Sequence, residues 1–329
     1  MALELAYTSA SRGLFPGTSG FCTVGMTEGM PKPFVEFLES LSNNYRELGN
    51  GRAEPVAISF VKGRAAGSIV RVLSRNVAAP KDYTGRTNNF AQHAIVDTHD
   101  RQAADNPAIA ARTDLFATSW DGIVGMSPAR KLPPSSGPTA TGTHWQRVAG
   151  DAMWAKSLVD VWLGNDDVTL YIIYPPEIDL LPLLAEAIAR LPADRRWDAT
   201  FTTYYTSLPV GVTCAIRGVI AGSEQEAIAK RSQHLDLRTL REQPAPQPRR
   251  EQAMPAVAGS YTLRPGEEAD PFTLSRRDNR SEDEDEEDNT PGMTFENIAA
   301  IVSVVASVML AIFMLVVWRM LKLLPTLAN

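Results

Sequence analysis

Short runs of mostly apolar residues, separated by glycine-containing polar segments, recur through the first hundred residues of the chain. Their length is typical of β-strands. Between the second and third runs, apolar residues from Phe34 to Leu48 recur at helical spacing, which predicts one amphipathic helix. The pattern predicts a mixed α/β unit over residues 1–130. Its predicted strands cover residues 3–8, 21–27, 55–61, 68–73 and 90–96.

A second α/β unit is predicted over residues 144–222, after a segment at 127–143 that is rich in Pro, Ser, Gly and Thr. Apolar positions predict two helices and three strands in this unit. The helices cover residues 154–162 and 181–191, and the strands cover residues 170–174, 198–206 and 212–220. We expect this unit to pack on the first. The predicted fold class is α+β, with a mixed, largely antiparallel sheet or sheets packed with helices.

The segment at 235–297 has no sustained periodicity and is interrupted by proline. It contains a basic cluster at 276–280 and then seven consecutive acidic residues, 282–288. Such a composition buries too little apolar surface to offset the entropy of ordering, so a disordered linker is predicted. The acidic run is either a solvated spacer or a docking segment for a basic partner.

Residues 298–318 contain no charged side chain in 21 positions. A helix of this length spans ~31 Å, which matches the hydrocarbon core of a bilayer. We therefore expect one C-terminal transmembrane helix, a lipid bilayer as its partner, and a short tail at 319–329. Small residues with a spacing of four make self-association through this helix possible, although such residues are common in transmembrane helices. They are Ala299, Ser303, Ser307 and Ala311.

The orientation of this helix is contested within the sequence. Arg319 and Lys322 favour a cytosolic C-terminal end by the positive-inside rule. The first 25 residues, however, lack the basic and apolar regions of a cleavable signal peptide. We therefore expect a single-pass C-terminal anchor whose large domain is cytosolic.

Composition excludes some classes of protein. The net charge of −6 argues against broad nucleic-acid binding, so no nucleic-acid partner is expected. Two cysteines without metal-binding spacing argue against a disulfide scaffold or a zinc finger. His93, Asp97 and His99 would make a poor tetrahedral site from one short strand. We predict no metal and no cofactor.

Two segments contain candidate chemistry in the first unit. The glycine-rich stretch at 7–25 could cradle an anion, but it lacks the Gly-Lys-Ser/Thr ending of a nucleotide-binding loop, and its glycines also suit tight turns. Cys22 and His93 could form a thiol nucleophile and its base, with Asn88 or Asp97 orienting the imidazole. Alternatively, Cys22 is a buried apolar residue and His93 is hydrogen-bonded to a neighbouring strand.

The second unit offers a row of hydroxyl groups. Alternation places Thr200, Thr202, Tyr204 and Thr206 on one face of a strand, beside Arg217 of the next strand. This row is either a binding surface or an ordinary set of strand-forming residues. Cys214 shares an apolar face with its neighbours in the last strand, so we expect it in the core.

Three segments resemble a known family: residues 5–31 (LAYTSASRGLFPGTSGFCTVGMTEGMP), 82–97 (DYTGRTNNFAQHAIVD) and 196–219 (RWDATFTTYYTSLPVGVTCAIRGV). They resemble the bacterial GTPase-associated protein one family, in its second N-terminal type plus the middle region. The resemblance covers most of residues 1–220. It implies a partner or adaptor of GTPases and other NTPases in multi-component bacterial conflict systems, and hence the bacterial inner membrane for the anchor. It implies no catalytic mechanism.

The resemblance also picks out positions that are candidates for a shared partner-binding or ligand-binding surface. They are Thr8, Ser11, Arg12, Gly13, Gly20, Arg86, Asn88, His93, Thr202, Tyr204, Cys214 and Arg217. The leading hypothesis is a membrane-tethered adaptor or regulatory module that binds a partner NTPase or GTPase. The alternatives are a thiol hydrolase that uses Cys22 and His93, and a structural membrane organiser that self-associates through its transmembrane helix.

Overall fold

One sheet joins the two α/β units that the sequence predicts. The computed structural model describes residues 1–43, 45, 48, 54–112, 115–134, 141–163 and 169–243. The chain divides into two units, Met1–Ala253 and Met254–Asn329, and every described residue lies in the first. The predicted linker from residue 244 onward, the predicted transmembrane helix with its four small residues, and the predicted tail lie outside the described residues.

Ten strands of the described part form the sheet, in the order β10-β7-β9-β8-β3-β4-β5-β1-β2-β6. The strands are β1 (Leu3–Ala10), β2 (Gly20–Thr27), β3 (Ala57–Ala65), β4 (Ser68–Ala79), β5 (Asn88–Ile95), β6 (Gly125–Ser127), β7 (Leu170–Tyr174), β8 (Phe201–Thr202), β9 (Ile216–Ile220) and β10 (His234–Asp236). The long strands β3, β4, β5, β1 and β2 pair antiparallel. The fold is therefore α+β with a large, mostly antiparallel sheet, as predicted.

The other half of the sheet is parallel. β7 pairs in parallel with β9 and β10, and β9 pairs in parallel with β8. All five residues of β7 are buried, as expected for an inner strand covered on both faces. The antiparallel pairing of β8 with β3 joins this half to the first.

The strand predicted at 198–206 is much shorter than expected. Arg196–Asp198 forms a 3₁₀ turn, and only Phe201–Thr202 is strand. The next peptide lies close against β9, since a Cβ added at Gly218 would collide with the carbonyl oxygen of Thr203. Hydroxyl and backbone groups of residues 200–203 replace the missing ladder, since Thr203 Oγ1 accepts from the amide of Ile58 at 2.9 Å.

Six α-helices occur in the described residues. They are α1 (Lys32–Ser42), α2 (Pro107–Ala110), α3 (Thr143–Ala149), α4 (Met153–Leu163), α5 (Leu180–Ile188) and α6 (Glu226–Lys230). The sequence predicted α1, α4 and α5, but not the three short helices. Asp179 caps α5 by accepting from the amide of Leu181 at 3.1 Å.

The predicted extension of α1 to Leu48 is wrong, because the helix ends at Ser42. The carbonyl oxygen of Ser42 accepts from the side-chain amides of Asn76 at 3.1 Å and Asn89 at 3.4 Å. These contacts to the sheet satisfy one of the carbonyl groups at the end of the helix. Tyr45, which the helical pattern included, instead packs edge-on against Tyr204 with 6.2 Å between ring centroids.

The sheet separates two apolar cores. α1 packs on one face, where Val35 and Leu38 contact Val61. Helices α2 to α5 cover the other face around Phe60 and the fully buried Trp145. Neighbouring residues of β3 thus belong to opposite cores, as the alternation of a strand requires.

The folded part includes residues at the predicted start of the linker. His234–Asp236 forms β10, and Leu240, in the 3₁₀ turn Leu240–Glu242, is 1% exposed. None of the described helices has the length and apolar character needed to cross a bilayer.

Candidate functional site

One end of the sheet carries the candidate residues that lie in loops of the first unit. β1 leads into the loop at 11–19, and β4 leads into the turn at 80–87. A hydrogen bond of 2.8 Å from Ser9 Oγ to Asp82 joins β1 to the turn. Exposed side chains of these two segments, including Arg12, Tyr83 and Arg86, form what we call the loop-end surface.

Asp82 organises the turn from within. Its carboxylate accepts from the Thr84 hydroxyl at 2.6 Å and from the amides of Thr84 and Arg86 at 2.8 and 3.0 Å. The Arg86 guanidinium also contacts it at 3.1 Å. The hydroxyl of Thr84 and these other donors outweigh burial and hold the pKa of Asp82 well below its ordinary value. Asp82 is not among the candidate residues of the sequence, although aspartate before a Thr-Gly turn is a recognised turn signal.

Asn88 and Gly13 have positioning roles near this surface. Asn88 Oδ1 accepts from the backbone amide of Ser9 at 3.0 Å and from the Thr8 hydroxyl at 3.2 Å. A Cβ at Gly13 would lie 2.7 Å from the sulfur of Cys22, so the loop folds back closely over that thiol. Gly20 has φ +75°, which suits glycine at the start of β2.

Cys22 and His93 lie on opposite faces of the sheet. Thr8 pairs with both Cys22 and Phe90, so these three side chains share a face. His93 is three residues after Phe90 in β5 and therefore projects from the other face. Cys22 packs in the cluster of Ala10 and Val24, and burial raises the pKa of its thiol. The thiol–imidazole pair considered from the sequence is not assembled.

His93 is a buried link between α1 and the sheet. It is 1% exposed, and its ring nitrogens lie 2.8 Å from Ser42 Oγ and 2.7 Å from Ser74 Oγ. Burial lowers the pKa of His93 to about 3, so the ring is neutral at physiological pH. Ser74 belongs to the neighbouring strand β4. His93 is therefore hydrogen-bonded to a neighbouring strand, which is the structural alternative stated for it from the sequence.

His93, Thr202 and Tyr204 are brought together around one small cavity. Its volume of about 50 Å³ is far below the roughly 300–1,000 Å³ of typical small-molecule sites. Thr202 Oγ1 donates to the carbonyl oxygen of Tyr204 at 3.1 Å, and both residues are buried. These three candidates therefore line an interior space and present no surface to a partner.

Arg217 lies in a different place, held by two tyrosines. Its Nη1 donates to the hydroxyls of Tyr171 at 3.0 Å and Tyr205 at 3.4 Å, and its Nε donates to the carbonyl oxygen of Cys214 at 3.2 Å. The guanidinium carbon also lies 4.7 Å from the centroid of the Tyr205 ring. Cys214 is 3% exposed, and burial raises its pKa to about 12, so its predicted place in the core is confirmed.

Arg217 lines a cleft of about 510 Å³ where β7, β8 and β9 begin, which we call the basic cleft. Lys62 and Arg195 are the other described cations of its lining, and Asp198 is the only carboxylate among its described residues. Lys62 contacts Asp198 at 3.1 Å, and Arg71 approaches it at 3.5 Å. Burial alone would raise the pKa of Asp198, but the hydrogen bond and charge of Lys62, with the charge of Arg71, lower it.

Within the described ranges, no group of three or more His, Cys, Asp or Glu side chains is placed to hold a metal ion. Thr200 and Cys214 line the basic cleft beside Arg217. The sequence pointed to Arg217 but missed Lys62, Arg195 and Asp198, because these come from two other segments of the chain, β3 and the turn before β8.

Two family models match this chain. The N-terminal domain, type 2, of GTPase-associated protein 1 matches residues 1–136, and the middle domain of the same protein matches residues 143–238. The chain belongs to the GTPase-associated protein 1 family. This confirms the resemblance inferred from the sequence and associates the chain with a GTPase system. No match was found among curated proteins or among solved structures.

The two domains of GTPase-associated protein 1 share the sheet in this chain. Their seam is the pairing of β3 with β8. The basic cleft lies on this seam, since Lys62 comes from the N-terminal domain and Arg195 and Arg217 come from the middle domain. The loop-end surface, in contrast, is built by the N-terminal domain alone.

Proposed function

We propose that this chain is a membrane-tethered adaptor or regulatory module that binds a GTPase or related NTPase in a bacterial multi-component system, with its large domain cytosolic. Membership of the GTPase-associated protein 1 family supports the class of partner. The observation that carries the proposal is the loop-end surface, because it presents exposed candidate side chains on a scaffold fixed by buried hydrogen bonds.

The chemistry of the loop-end surface suits a protein partner. Tyr83 is 56% exposed, and the Arg86 side chain is 62% exposed although it pairs with Asp82. Exposed arginine and tyrosine are the residue types most enriched where proteins bind one another. Because Asp82 and Asn88 hold the turn against the end of β1, the backbone of the turn needs little ordering on binding.

The tethered part of the proposal rests on the sequence of residues 298–318. The 54 residues from 244 to 297 would separate that helix from the folded part. The adaptor would thus bind its partners close to the membrane.

Affinity purification of the tagged full-length chain from its native membranes in mild detergent tests this function. We expect a GTPase or related NTPase to co-purify in near-stoichiometric amount. A variant with Arg12→Ala, Tyr83→Ala and Arg86→Ala should lose this partner while still unfolding in one cooperative transition. Lys62→Gln, which removes a cation at the opposite end of the sheet, is the matched control and should retain it.

The outcomes separate the parts of the proposal. Absence of any NTPase from the wild-type preparation would overturn the adaptor function, and equal recovery by the triple variant would overturn the role of the loop-end surface. A chain that stops at residue 297 should still bind the partner but leave the membrane fraction. Membrane recovery of that truncated chain would contradict the anchor.

A further inference from the structure

The geometry points to a second binding site: the basic cleft binds the phosphate group of a small molecule through the side chains of Lys62 and Arg217. This inference does not depend on the partner proposed above. β1 ends at the loop-end surface, and the strand directions place the starts of β7, β8 and β9 at the other end of the sheet. The two sites therefore do not share residues.

The charges of the cleft favour an anion. Three described cations line it against the one described carboxylate, Asp198. Lys62 and Arg71 contact one oxygen of that carboxylate, and Arg195 contacts the other at 3.7 Å. Arg217 has no carboxylate partner among the described residues, so its charge is balanced only by tyrosine hydroxyls and a carbonyl oxygen.

Arg217 is oriented before any ligand arrives. Nη1 and Nε are occupied by Tyr171, Tyr205 and the carbonyl of Cys214, whereas no described residue accepts from Nη2. The guanidinium carbon lies 5.6 Å from the centroid of the Tyr171 ring and 4.7 Å from the centroid of the Tyr205 ring. A fixed guanidinium with a remaining donor suits a phosphate oxygen and loses little side-chain entropy on binding.

Hydroxyl groups and size fit the same class of ligand. Thr200 Oγ1 accepts from the amide of Ala215 at 2.9 Å, which leaves its hydroxyl proton for a further acceptor. Thr169 also lines the cleft. The volume of about 510 Å³ is in the range of small-molecule sites and exceeds what one inorganic phosphate needs. We therefore expect a phosphorylated molecule of nucleotide size rather than the free ion.

Calorimetric titration of the purified full-length chain with inorganic phosphate, pyrophosphate, GDP and citrate tests this site. We expect saturable binding of GDP or pyrophosphate that is tighter than that of inorganic phosphate. Arg217→Gln and Lys62→Gln should each weaken it about tenfold. Arg12→Gln removes one cation from the loop-end surface and should leave the affinity unchanged, while Asp198→Asn should tighten binding.

Each other outcome overturns the inference. No binding of any phosphate probe, or equal affinities in Arg217→Gln and Arg12→Gln, would remove the site. Citrate binding tighter than all phosphate probes would replace phosphate by carboxylate as the ligand group. If Arg217→Gln does not fold, Lys62→Gln decides, because Lys62 is partly exposed and its loss leaves Asp198 paired with Arg71. Lys62→Gln should still co-purify with the NTPase partner. A loss of phosphate affinity in this variant would therefore concern the basic cleft and not the adaptor function.

Discussion

The Nε2 atom of His93 lies 2.8 Å from the hydroxyl oxygen of Ser42, the last residue of α1. On the other side of the ring, Nδ1 lies 2.7 Å from the hydroxyl of Ser74. One imidazole therefore joins the end of a helix to two strands of the sheet. All three side chains are buried and cannot reach water in the folded chain. Each therefore depends on these hydrogen bonds to satisfy its polar atoms.

Replacing His93 by Leu should destabilise the fold by about 2–4 kcal/mol, because two buried hydroxyls lose their shared partner. Urea unfolding followed by tryptophan fluorescence measures this change. Gln92→Leu, one residue earlier in β5, changes a side chain on the opposite face and is the control. A decrease below about 0.5 kcal/mol in the free energy of unfolding of His93→Leu would contradict the stabilising role of the His93 hydrogen bonds.

The same histidine predicts a dependence of stability on pH. Its pKa falls from 6.5 to about 3 on folding, so between these values the unfolded chain binds more protons than the folded chain. The free energy of unfolding should therefore decrease as pH falls below 6.5, by about 2 kcal/mol from this residue alone at pH 5. Unfolding at pH 7 and pH 5 should show this loss in wild type and a smaller loss in His93→Gln. Identical losses would show that His93 does not titrate on unfolding.

Gly218→Ala should destabilise the chain by about 1–3 kcal/mol or prevent folding, since the new methyl group would meet the Thr203 carbonyl oxygen and lie 2.5 Å from Leu180 Cδ2. Gly125→Ala is the matched control, because a Cβ in that strand position has no neighbour within 4 Å. Unfolding midpoints of the two variants give the comparison. Similar midpoints would mean that β8 can move away from β9 at little cost.

Asp82→Asn should loosen the turn at 80–87. The carboxylate accepts from the amides of Thr84 and Arg86, and an amide side chain supplies a weaker acceptor without the charge that attracts Arg86. Hydrogen exchange of these two amides should become about tenfold faster, with little change at the amides of β7. Exchange at wild-type rates would show that the turn keeps its conformation without the Asp82 carboxylate. Asp82 has a lowered pKa, so its contribution should also fade as pH drops.

Both cysteines should resist alkylation in the native chain. Cys22 is 6% exposed and Cys214 is 3% exposed, and burial raises the pKa of each thiol. With a pKa of about 12, roughly one Cys214 in ten thousand carries a thiolate at pH 8. Iodoacetamide labelling followed by mass spectrometry should find two reactive thiols only after denaturation. Rapid labelling of Cys22 in the native chain would contradict its burial and would support a role as a thiol nucleophile.

Local patterns in the sequence determined the elements whose apolar spacing is regular. β7 and α5 are nearly continuous apolar segments, and β1, β2 and β5 keep strand spacing over their length, so short-range physics was enough to predict them. The acidic run and the apolar segment at 298–318 are likewise readable from composition alone. The family resemblance depended on sequence motifs too, and the family models confirm it.

Tertiary structure decided which candidate residues meet. Strand alternation and register place Cys22 and His93 on opposite faces. α1 ends at Ser42, whose carbonyl accepts from Asn76 and Asn89 of the sheet. Lys62 and Arg217 are 155 positions apart in the sequence and line one cleft only because β3 pairs with β8. Sequence patterns report the environment of a residue within its own element, whereas register and strand order depend on contacts between distant elements, and those contacts form only when the sheet is complete.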